Sequence, residues 1–525
     1  MSQFTLDNNG VNLNDNGKKI KIAEYIKIIE IQENIDDNTY RALIEYKAFS
    51  DIKQITIPRQ EYLNKNNLMK YQSKGLDVVN KNVELLIQYL YEEEKEAPKK
   101  NIHTKIGFSN YKGETIYKLY ECIGIDSKYE GKEDVTPIGN KDEYIDMLNK
   151  EVIGNTALEF IVAVSLSSVL LGYIGEDLGL DSLILHIVGN STTGKSTALK
   201  LAISLFGNPD VKKSGLFATY NGTNNALIKK LTGLKGVPFA LDEMSMSYTK
   251  NFTNFIYALA NGTDKDRLDK DSELKDRETW LTTILSNGEK SLISSSSKNA
   301  GVQIRVIEAS NVTWTKDAEN AETINRVVSQ NYGHLGFDFA KYIMSIGKDE
   351  LIKKFKGLKD EIYKLIYEKI TTDNMIIRRC SKFAIIIQSA YLFQDMMDIT
   401  LDIDGIKNMI IDIEKESISN RNFRESAIEY IKQYISKYNN KFKCTTNNLT
   451  DNIGKIIKKE TYSEVQMNKI SFEEMIREGG YEDVKVVLKE LKDAGYLDCE
   501  KDRYTRSRKN NLGYTENVYV IKLYK

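Results

Sequence analysis

The sequence predicts an α/β protein: a core in which a glycine-containing loop joins a strand to a helix, with an α+β domain before this core and a winged-helix domain after it. Three patterns predict this fold. They are a strand–loop–helix pattern at 184–206, an apolar strand ending in two acids at 236–243, and a helix–strand–strand pattern after residue 424. At 525 residues, the chain is long enough for about three domains. We place their boundaries at 1–148, 149–420 and 421–525.

Composition leaves the partner open and predicts a cytoplasmic protein. The 74 Lys+Arg balance 75 Asp+Glu, so nucleic-acid binding has to be judged from local patches of charge. The four cysteines are far apart without a C-x-x-C pair, which favours a reducing compartment. The segment 157–174 is apolar enough to resemble a membrane span. However, it carries Glu159 and several serines, so a buried helix is favoured over a membrane location.

The N-terminal domain reads as a small α+β accessory domain. Residues 1–17 are rich in Asn, Asp and Gly and are predicted to be disordered. Strand-like runs follow at 18–57, then a helical pattern at 82–96 and a hairpin at 105–123 that turns at Tyr111-Lys112-Gly113. We identify no catalytic constellation in this domain.

The predicted nucleotide site begins with a complete G-x-x-x-x-G-K-[ST] loop between a strand and a helix. Its residues, with the next helical position, are Gly189, Asn190, Ser191, Thr192, Thr193, Gly194, Lys195, Ser196 and Thr197. In such a loop, backbone N–H groups and the helix N-terminus face the phosphates, the lysine neutralises them, and the hydroxyl ligates Mg²⁺. The pattern therefore predicts ATP and Mg²⁺ as ligands. A Gly/Ser/Thr-rich turn that matches by chance is the alternative.

Three polar side chains are predicted to complete this site. Asp242 and Glu243 end an apolar strand, where the aspartate would hold Mg²⁺ and the glutamate would polarise the attacking water. Asn287 follows a further predicted strand at 280–285 and would position that water. Two solvated acids and a turn asparagine are the alternatives.

Two arginines are predicted to contact a nucleotide, Arg305 as a finger that reaches the γ-phosphate of a neighbour and Arg379 as part of a helical lid. Arg305 ends a predicted strand at 301–305, and Arg379 opens a long apolar helix that would form a lid. Either side chain could instead be an ordinary surface charge.

Basic residues cluster in two segments that we predict to bind DNA phosphates. The first segment, 261–278, would contribute Lys265, Arg267 and Lys270. The second is the wing of the C-terminal domain, with Arg503, Arg506, Arg508 and Lys509 at its tip. A solvated loop and a protein-binding wing are the respective alternatives.

Several motifs in order resemble the DUF927 family of AAA+-like ATPases, which includes self-loading, MCM-like replicative helicases of staphylococcal pathogenicity islands and related cassettes. The resemblance covers roughly residues 20–400. The motifs are HIVGNSTTGKSTAL at 186–199, LDEMS at 241–245, IYALANGTDKDR at 256–267, ILSNGEKSL at 284–292, AGVQIRVIEA at 300–309 and NYGHLGFDF at 331–339. One departure is Asp264, which stands where family members often have glycine.

The resemblance implies a P-loop AAA+ ATPase core in a homo-hexameric ring that moves along single-stranded DNA. It also implies that 261–278 forms a hairpin facing the channel and that nucleotide sites are shared between subunits. We therefore predict a replicative DNA helicase of a mobile element, acting on single-stranded and forked DNA and on an origin duplex. The alternatives are a DNA-bound regulatory NTPase with a protein client, and an origin-binding module that recruits a separate helicase.

Overall fold

The computed structural model describes residues 3–7, 9–15, 18–249, 251–265, 277–296, 300–370, 376–420, 423–442, 452–481, 483–509 and 513–524. Contacts between Cα atoms divide the chain into two compact units. The first comprises residues 1–137 with 233–235, and the second comprises 138–232 with 236–525.

The first unit is an α+β structure of three sheets, as its alternating sequence predicts. Its elements are β1 Phe4–Asp7, β2 Gly10–Asp15, β3 Lys18–Ala23, β4 Ile26–Asn34, β5 Thr39–Ala48, β6 Asp51–Pro58, α1 Arg59–Tyr62, α2 Lys65–Leu68, α3 Val83–Glu96, β7 Lys99–His103, β8 Gly107–Tyr111, β9 Glu114–Lys118, β10 Cys122–Ile123 and β11 Lys128–Tyr129. The sheet orders are β1-β2-β3, β10-β9-β8 and β11-β7-β4-β5-β6.

Two predictions for this unit have opposite outcomes. The hairpin is confirmed: β8 pairs antiparallel with β9, and Lys112 and Gly113 at its turn both have positive φ. The prediction that 1–17 is disordered is wrong for the residues described, because β1 pairs with β2 there. Phe4 and Val11 are buried in the core of the unit, so this polar segment supplies enough apolar side chains to pack.

The second unit opens with a five-stranded parallel sheet and the helices that cover it. The elements are α4 Lys141–Met147, α5 Thr156–Ile174, β12 Leu183–Val188, α6 Lys195–Ser204, β13 Phe217–Thr219, α7 Asn224–Leu231, β14 Phe239–Asp242, α8 Thr253–Asn261, β15 Thr283–Gly288, α9 Ala300–Arg305, β16 Val306–Ala309, α10 Ala318–Gln330, α11 Leu335–Ile346, α12 Lys348–Lys369, α13 Ile376–Met397 and α14 Ile403–Asn420. The strand order is β13-β14-β15-β12-β16. With this order, the carboxyl ends of β12, β14 and β15 lie at one edge.

Helix α5 is the apolar segment that resembled a membrane span. It is long and apolar enough to cross a membrane, yet 89% of its most apolar stretch is buried inside the structure. Ser165 donates a hydrogen bond to the carbonyl of Ala202 in α6 (2.6 Å), and Ser167 bonds the hydroxyl of Thr283 in β15 (2.9 Å). The prediction of a buried core helix is therefore confirmed.

Two predicted strands differ from the structure. The strand predicted at 280–285 lies at Thr283–Gly288, so Asn287 belongs to the strand and does not follow it. The strand predicted at 301–305 is wrong, because these residues belong to helix α9 and strand β16 begins only at Val306. A short apolar run has no periodicity that separates a buried helix from a strand, and the sequence alone could not decide.

The C-terminal part of the second unit has a hydrophobic core of its own. Its elements are α15 Phe423–Lys437, β17 Gly454–Lys458, β18 Tyr462–Asn468, α16 Lys469–Glu478, α17 Val484–Asp493, β19 Leu497–Asp498, β20 Arg506–Lys509 and β21 Thr515–Tyr524. The sheet order is β17-β18-β21-β19, with β20 paired to β21. The sequence analysis did not identify β17, β18 or α16.

Candidate nucleotide site

The loop between β12 and α6 lies at the carboxyl edge of the parallel sheet. Gly194 has φ of 81°, and a Cβ there would lie 2.5 Å from the side-chain oxygen of Thr315, so only glycine fits. The Lys195 ammonium donates to the carbonyl oxygens of Gly189 and Asn190, each at 2.6 Å. The Trp314 N–H, in turn, donates to the carbonyl of Thr193 (2.9 Å), which anchors the loop from outside.

Three predicted residues from three different elements converge beside this loop. The Ser196 hydroxyl donates to Asp242 Oδ1 at 3.2 Å. The Asn287 amide donates to the same carboxylate oxygen at 2.7 Å and lies 3.4 Å from the Ser196 hydroxyl oxygen. The structure therefore joins α6, β14 and β15 at one point, with a hydroxyl and a carboxylate of the type that Mg²⁺ prefers.

Glu243 is adjacent to this cluster and has an unusual backbone. Its φ is 61°, a left-handed conformation that is uncommon for a residue with a Cβ. Its N–H donates to Asn287 Oδ1 at 2.7 Å, and its carboxylate accepts a hydrogen bond from the Ser245 hydroxyl. Asn287 thus binds both acidic residues of the strand end through the two atoms of its amide.

A buried hydrogen-bond network, which the sequence analysis missed, lies beneath the site. His186 in β12 is fully buried, and burial lowers the pKa of its imidazole, so the ring is neutral. Its Nε2 lies 2.9 Å from the carbonyl of Lys290, which can only accept. Nδ1 therefore accepts from the Ser286 hydroxyl (2.8 Å), which accepts from Tyr220 (2.7 Å).

Two predicted loop residues are engaged with other parts of the unit. The Ser191 hydroxyl donates to Glu289 at 2.9 Å, just beyond the end of β15. Thr197 is buried, and its hydroxyl accepts from the Asn325 amide of α10 at 2.8 Å. Thr197 therefore faces the packing of α6 on α10. Glu289 lies inside the ILSNGEKSL motif, two residues from Asn287, and that proximity was the available signal.

Arg305 lies at the end of α9, at the opposite edge of the sheet from the loop. Its guanidinium is 4.4 Å from the ring centroid of Tyr257. Its Nε and Nη2 lie 3.4 and 3.3 Å from Asn261 Oδ1, and Nη1 donates to the carbonyl of Gly301 at 3.0 Å. These contacts hold the side chain against α8.

The prediction that Arg379 contacts a nucleotide is wrong in this structure. Its side chain is completely buried and forms an ion pair with Glu414, also completely buried, at 2.6 Å. It also donates to the carbonyls of Gln303 and Val306, each at 2.8 Å. Arg379 therefore joins α13 to α14 and to the start of β16, while its neighbour Arg378 is exposed.

The predicted DNA-binding residues are placed as follows. Lys265 is exposed, and the segment around it is closed at its base by an antiparallel bridge between Thr263 and Thr279. Arg267 and Lys270 lie outside the described residues.

The wing residues differ from the prediction. Arg506, Arg508 and Lys509 form strand β20 and do not lie at a loop tip. Asp498 pairs with Arg506 at 2.9 Å and with Arg508 at 3.5 Å, and Glu500 pairs with Arg503 at 2.6 Å. Much of the positive charge predicted for the wing is thus already balanced within the chain.

Comparison with known proteins identifies two matching family models. One is described as "Domain of unknown function (DUF927)" and matches residues 4–279, more than half of the chain. The other, a "Cch helix turn helix domain", matches residues 422–525. A comparison with curated proteins gives no match.

A solved structure described as "SCCmec type IV Cch - active helicase" is similar over the whole chain. The sequences are 25% identical, the similarity covers 100% of this chain and 98% of that one, and the TM-score is 0.80. The fold and site thus define a mixed α/β protein, structurally similar to a helicase, with polar side chains gathered at one edge of a parallel sheet. The chain belongs to the DUF927 family.

Proposed function

We propose that this chain is the replicative DNA helicase of a mobile element and that it hydrolyses ATP at the edge of a P-loop AAA+ core. The observation that carries the proposal is the convergence of Ser196, Asp242 and Asn287 beside the loop 189–194. Similarity in fold to an active helicase supports the choice of helicase over other ATPases.

Each residue has a role that its position supports. The loop N–H groups and the N-terminus of α6 would bind the phosphates, and Lys195 would leave the two loop carbonyls to contact them. Ser196 and Asp242 would hold Mg²⁺, which supplies charge neutralisation when bound. Glu243 would accept the proton of the attacking water, and Asn287 would orient both Glu243 and Asp242.

Arg305 supports a ring with shared sites. It precedes β16, whereas Gly189 follows β12, and the two strands are parallel neighbours. The two residues are therefore separated by the six residues of β12, or about 20 Å at about 3.3 Å per residue. This exceeds the length of an arginine side chain, so Arg305 would act on the nucleotide of a neighbouring copy. We propose that the ring is hexameric.

We assign DNA contacts to three regions. The hairpin at 261–278 would face single-stranded DNA in the ring channel. In the winged-helix domain, α17 exposes Lys485, Val486 and Lys489 on one face, with Val486 46% exposed. Two cations beside an apolar side chain suit the major groove of a fork or origin duplex. The paired arginines of β20 would contribute less.

Strand displacement from a fluorescently labelled fork, measured alongside ATP hydrolysis, tests this function. Wild-type protein should displace the strand only with ATP and Mg²⁺. The Glu243→Gln variant should bind nucleotide and lose turnover, while Glu350→Gln, at an exposed carboxylate of α12, should retain both activities.

Two results would contradict the proposal. Hydrolysis without displacement would favour a regulatory NTPase with a protein client. Wild-type displacement by Glu243→Gln would show that the catalytic assignment is wrong.

A further inference from the structure

A second cationic site lies in the same unit, at the edge of the sheet opposite the loop. It is a cleft of about 430 Å³. Its charged lining residues are Asp181, Arg305, Lys359, Arg378 and Lys382. They come from the segment before β12 and from α9, α12 and α13, so four separate parts of the chain build the cleft. Its floor is apolar and includes Leu183.

The cations of this cleft outnumber the acids. Four basic side chains face one carboxylate, Asp181. Glu414 of α14 does not line the cleft and is already paired with Arg379 of α13. An anion that entered would therefore gain attraction from several cations at once, in a partly desolvated space where such attraction is stronger than in water.

Lys382 lies within this excess of positive charge. Its ammonium donates to the backbone carbonyl of Arg305 at 2.7 Å, which ties α13 directly to the end of α9. Burial lowers the pKa of Lys382 to about 7, and the charges of Arg379 and Arg305 lower it further against the opposing effect of Asp181. Lys359 and Arg378, facing the same space from α12 and α13, add to the positive surroundings.

We propose that this cleft is a phosphate-binding site, and that Arg378 and Lys382 join Arg305 in contacting the terminal phosphate of the nucleotide held by a neighbouring copy. The inference rests on the proposed function. The cleft lies at the same sheet edge as Arg305, away from the chain's own loop. The source of the phosphate is therefore another molecule.

The proposal predicts a dependence on pH. Lys382 carries its charge below a pH of about 7 and loses it above. Phosphate binding should be strongest in the acidic part of this range and weaken as the pH rises through neutrality. The arginine in Lys382→Arg keeps its charge throughout this range, so phosphate binding by this variant should change little with pH.

The experiment uses the full-length protein and three cleft variants, Lys382→Met, Lys382→Arg and Arg378→Ala. The control is Lys354→Ala, at an exposed cation of α12 that does not line the cleft. We expect Lys382→Met and Arg378→Ala to lower kcat for ATP at least tenfold and to change nucleotide affinity less than twofold. Fluorescence of Trp314, whose backbone N–H contacts the loop, reports that affinity.

Mixing identifies the source of the phosphate. Lys382→Met subunits mixed with Lys195→Ala subunits should recover ATP hydrolysis, because some interfaces then pair an intact loop with an intact cleft. Unchanged kcat in Lys382→Met and Arg378→Ala would overturn the proposal, as would a loss of nucleotide affinity at the loop.

Two further results would overturn the assignment to a neighbour. One is loss of fork binding with full ATP hydrolysis, which would assign the cleft to DNA phosphates. The other concerns pyrophosphate. If pyrophosphate binds to Lys195→Ala, if adding Lys382→Met abolishes that binding, and if mixtures recover no ATP hydrolysis, the cleft binds a free phosphate ligand. If wild-type protein hydrolyses no ATP, the proposed function fails independently of the cleft.

Discussion

Replacing Asn287 with aspartate tests the centre of the site with a change of one atom. The residue is 2% exposed, and its Nδ2 lies 2.7 Å from Asp242 Oδ1. Aspartate would keep the oxygen that accepts from the Glu243 N–H but would place a second carboxylate oxygen against Asp242. The change therefore removes the contacts of Nδ2, with Asp242 and Ser196, and leaves the contact with Glu243 in place.

The magnitude follows from that distance. Two unit charges 2.7 Å apart repel by roughly 1.5 kcal/mol at the dielectric constant of water and about 6 kcal/mol at an effective value of 20. Either cost raises the pKa of the carboxyl pair above its unfolded value. The variant should accordingly be about as stable as wild type at low pH, and its stability should decline as the pH rises through the raised pKa.

Thermal unfolding from pH 5 to 8, with and without Mg²⁺, measures this effect. Asn287→Asp should unfold several degrees below wild type at pH 8, should approach wild type at pH 5, and should be stabilised by Mg²⁺ at pH 8 more than wild type is. Its ATP hydrolysis should fall by at least tenfold, because Asp242 loses the N–H of Asn287 that orients its carboxylate. Equal unfolding temperatures at pH 8, with no extra effect of Mg²⁺, would refute the geometry.

Three further predictions concern residues whose roles the structure changes or adds. Arg379→Met should lower stability by about 3–5 kcal/mol, since it breaks the completely buried ion pair with Glu414, whereas Arg378→Ala should leave the unfolding temperature unchanged. Between pH 7 and 10 the unfolded chain keeps a proton on Lys382 that the folded chain releases, so wild-type stability should rise with pH, and Lys382→Met should remove this slope. Lys489→Ala should weaken duplex binding and reduce the salt slope by about one, and Arg506→Ala should do so less because Asp498 already pairs with it.

Much of the nucleotide site could be predicted because its parts are local. The loop 189–196 is continuous in sequence, and Asp242 ends a strand that its own apolar run marks. Parallel strands bring such ends to one edge, so Asn287 could be assigned to the same site although the predicted strand ended three residues early. The hydrogen bond from Ser245 to the Glu243 carboxylate was not predictable, since a serine two residues from an acid forms no distinctive sequence pattern.

The arginines show where sequence reasoning has too little information. Arg378 and Arg379 are adjacent in sequence, but Arg378 is exposed and Arg379 is buried. Which of the two faces inward depends on the rotation of α13 and on Glu414, 35 residues later in the chain. An amphipathic pattern could have settled the rotation, but α13 is apolar on several faces where it packs between other helices.

The distance between the loop and Arg305 accounts for a further limit. If a neighbouring copy completes the nucleotide site, some of the catalytic residues lie on a surface, that of Arg305, which is too far from the loop of the same chain. The sequence displays both halves as separate motifs, and only the parallel order of β12 and β16 reveals that they lie at opposite edges. Hydrogen bonds from Lys382 to Arg305 and from Arg379 to the start of β16 join α13 to that second half. A change in the position of α13 would therefore move Arg305 and the cleft together, and a nucleotide bound there could transmit its state to the next subunit through this helix.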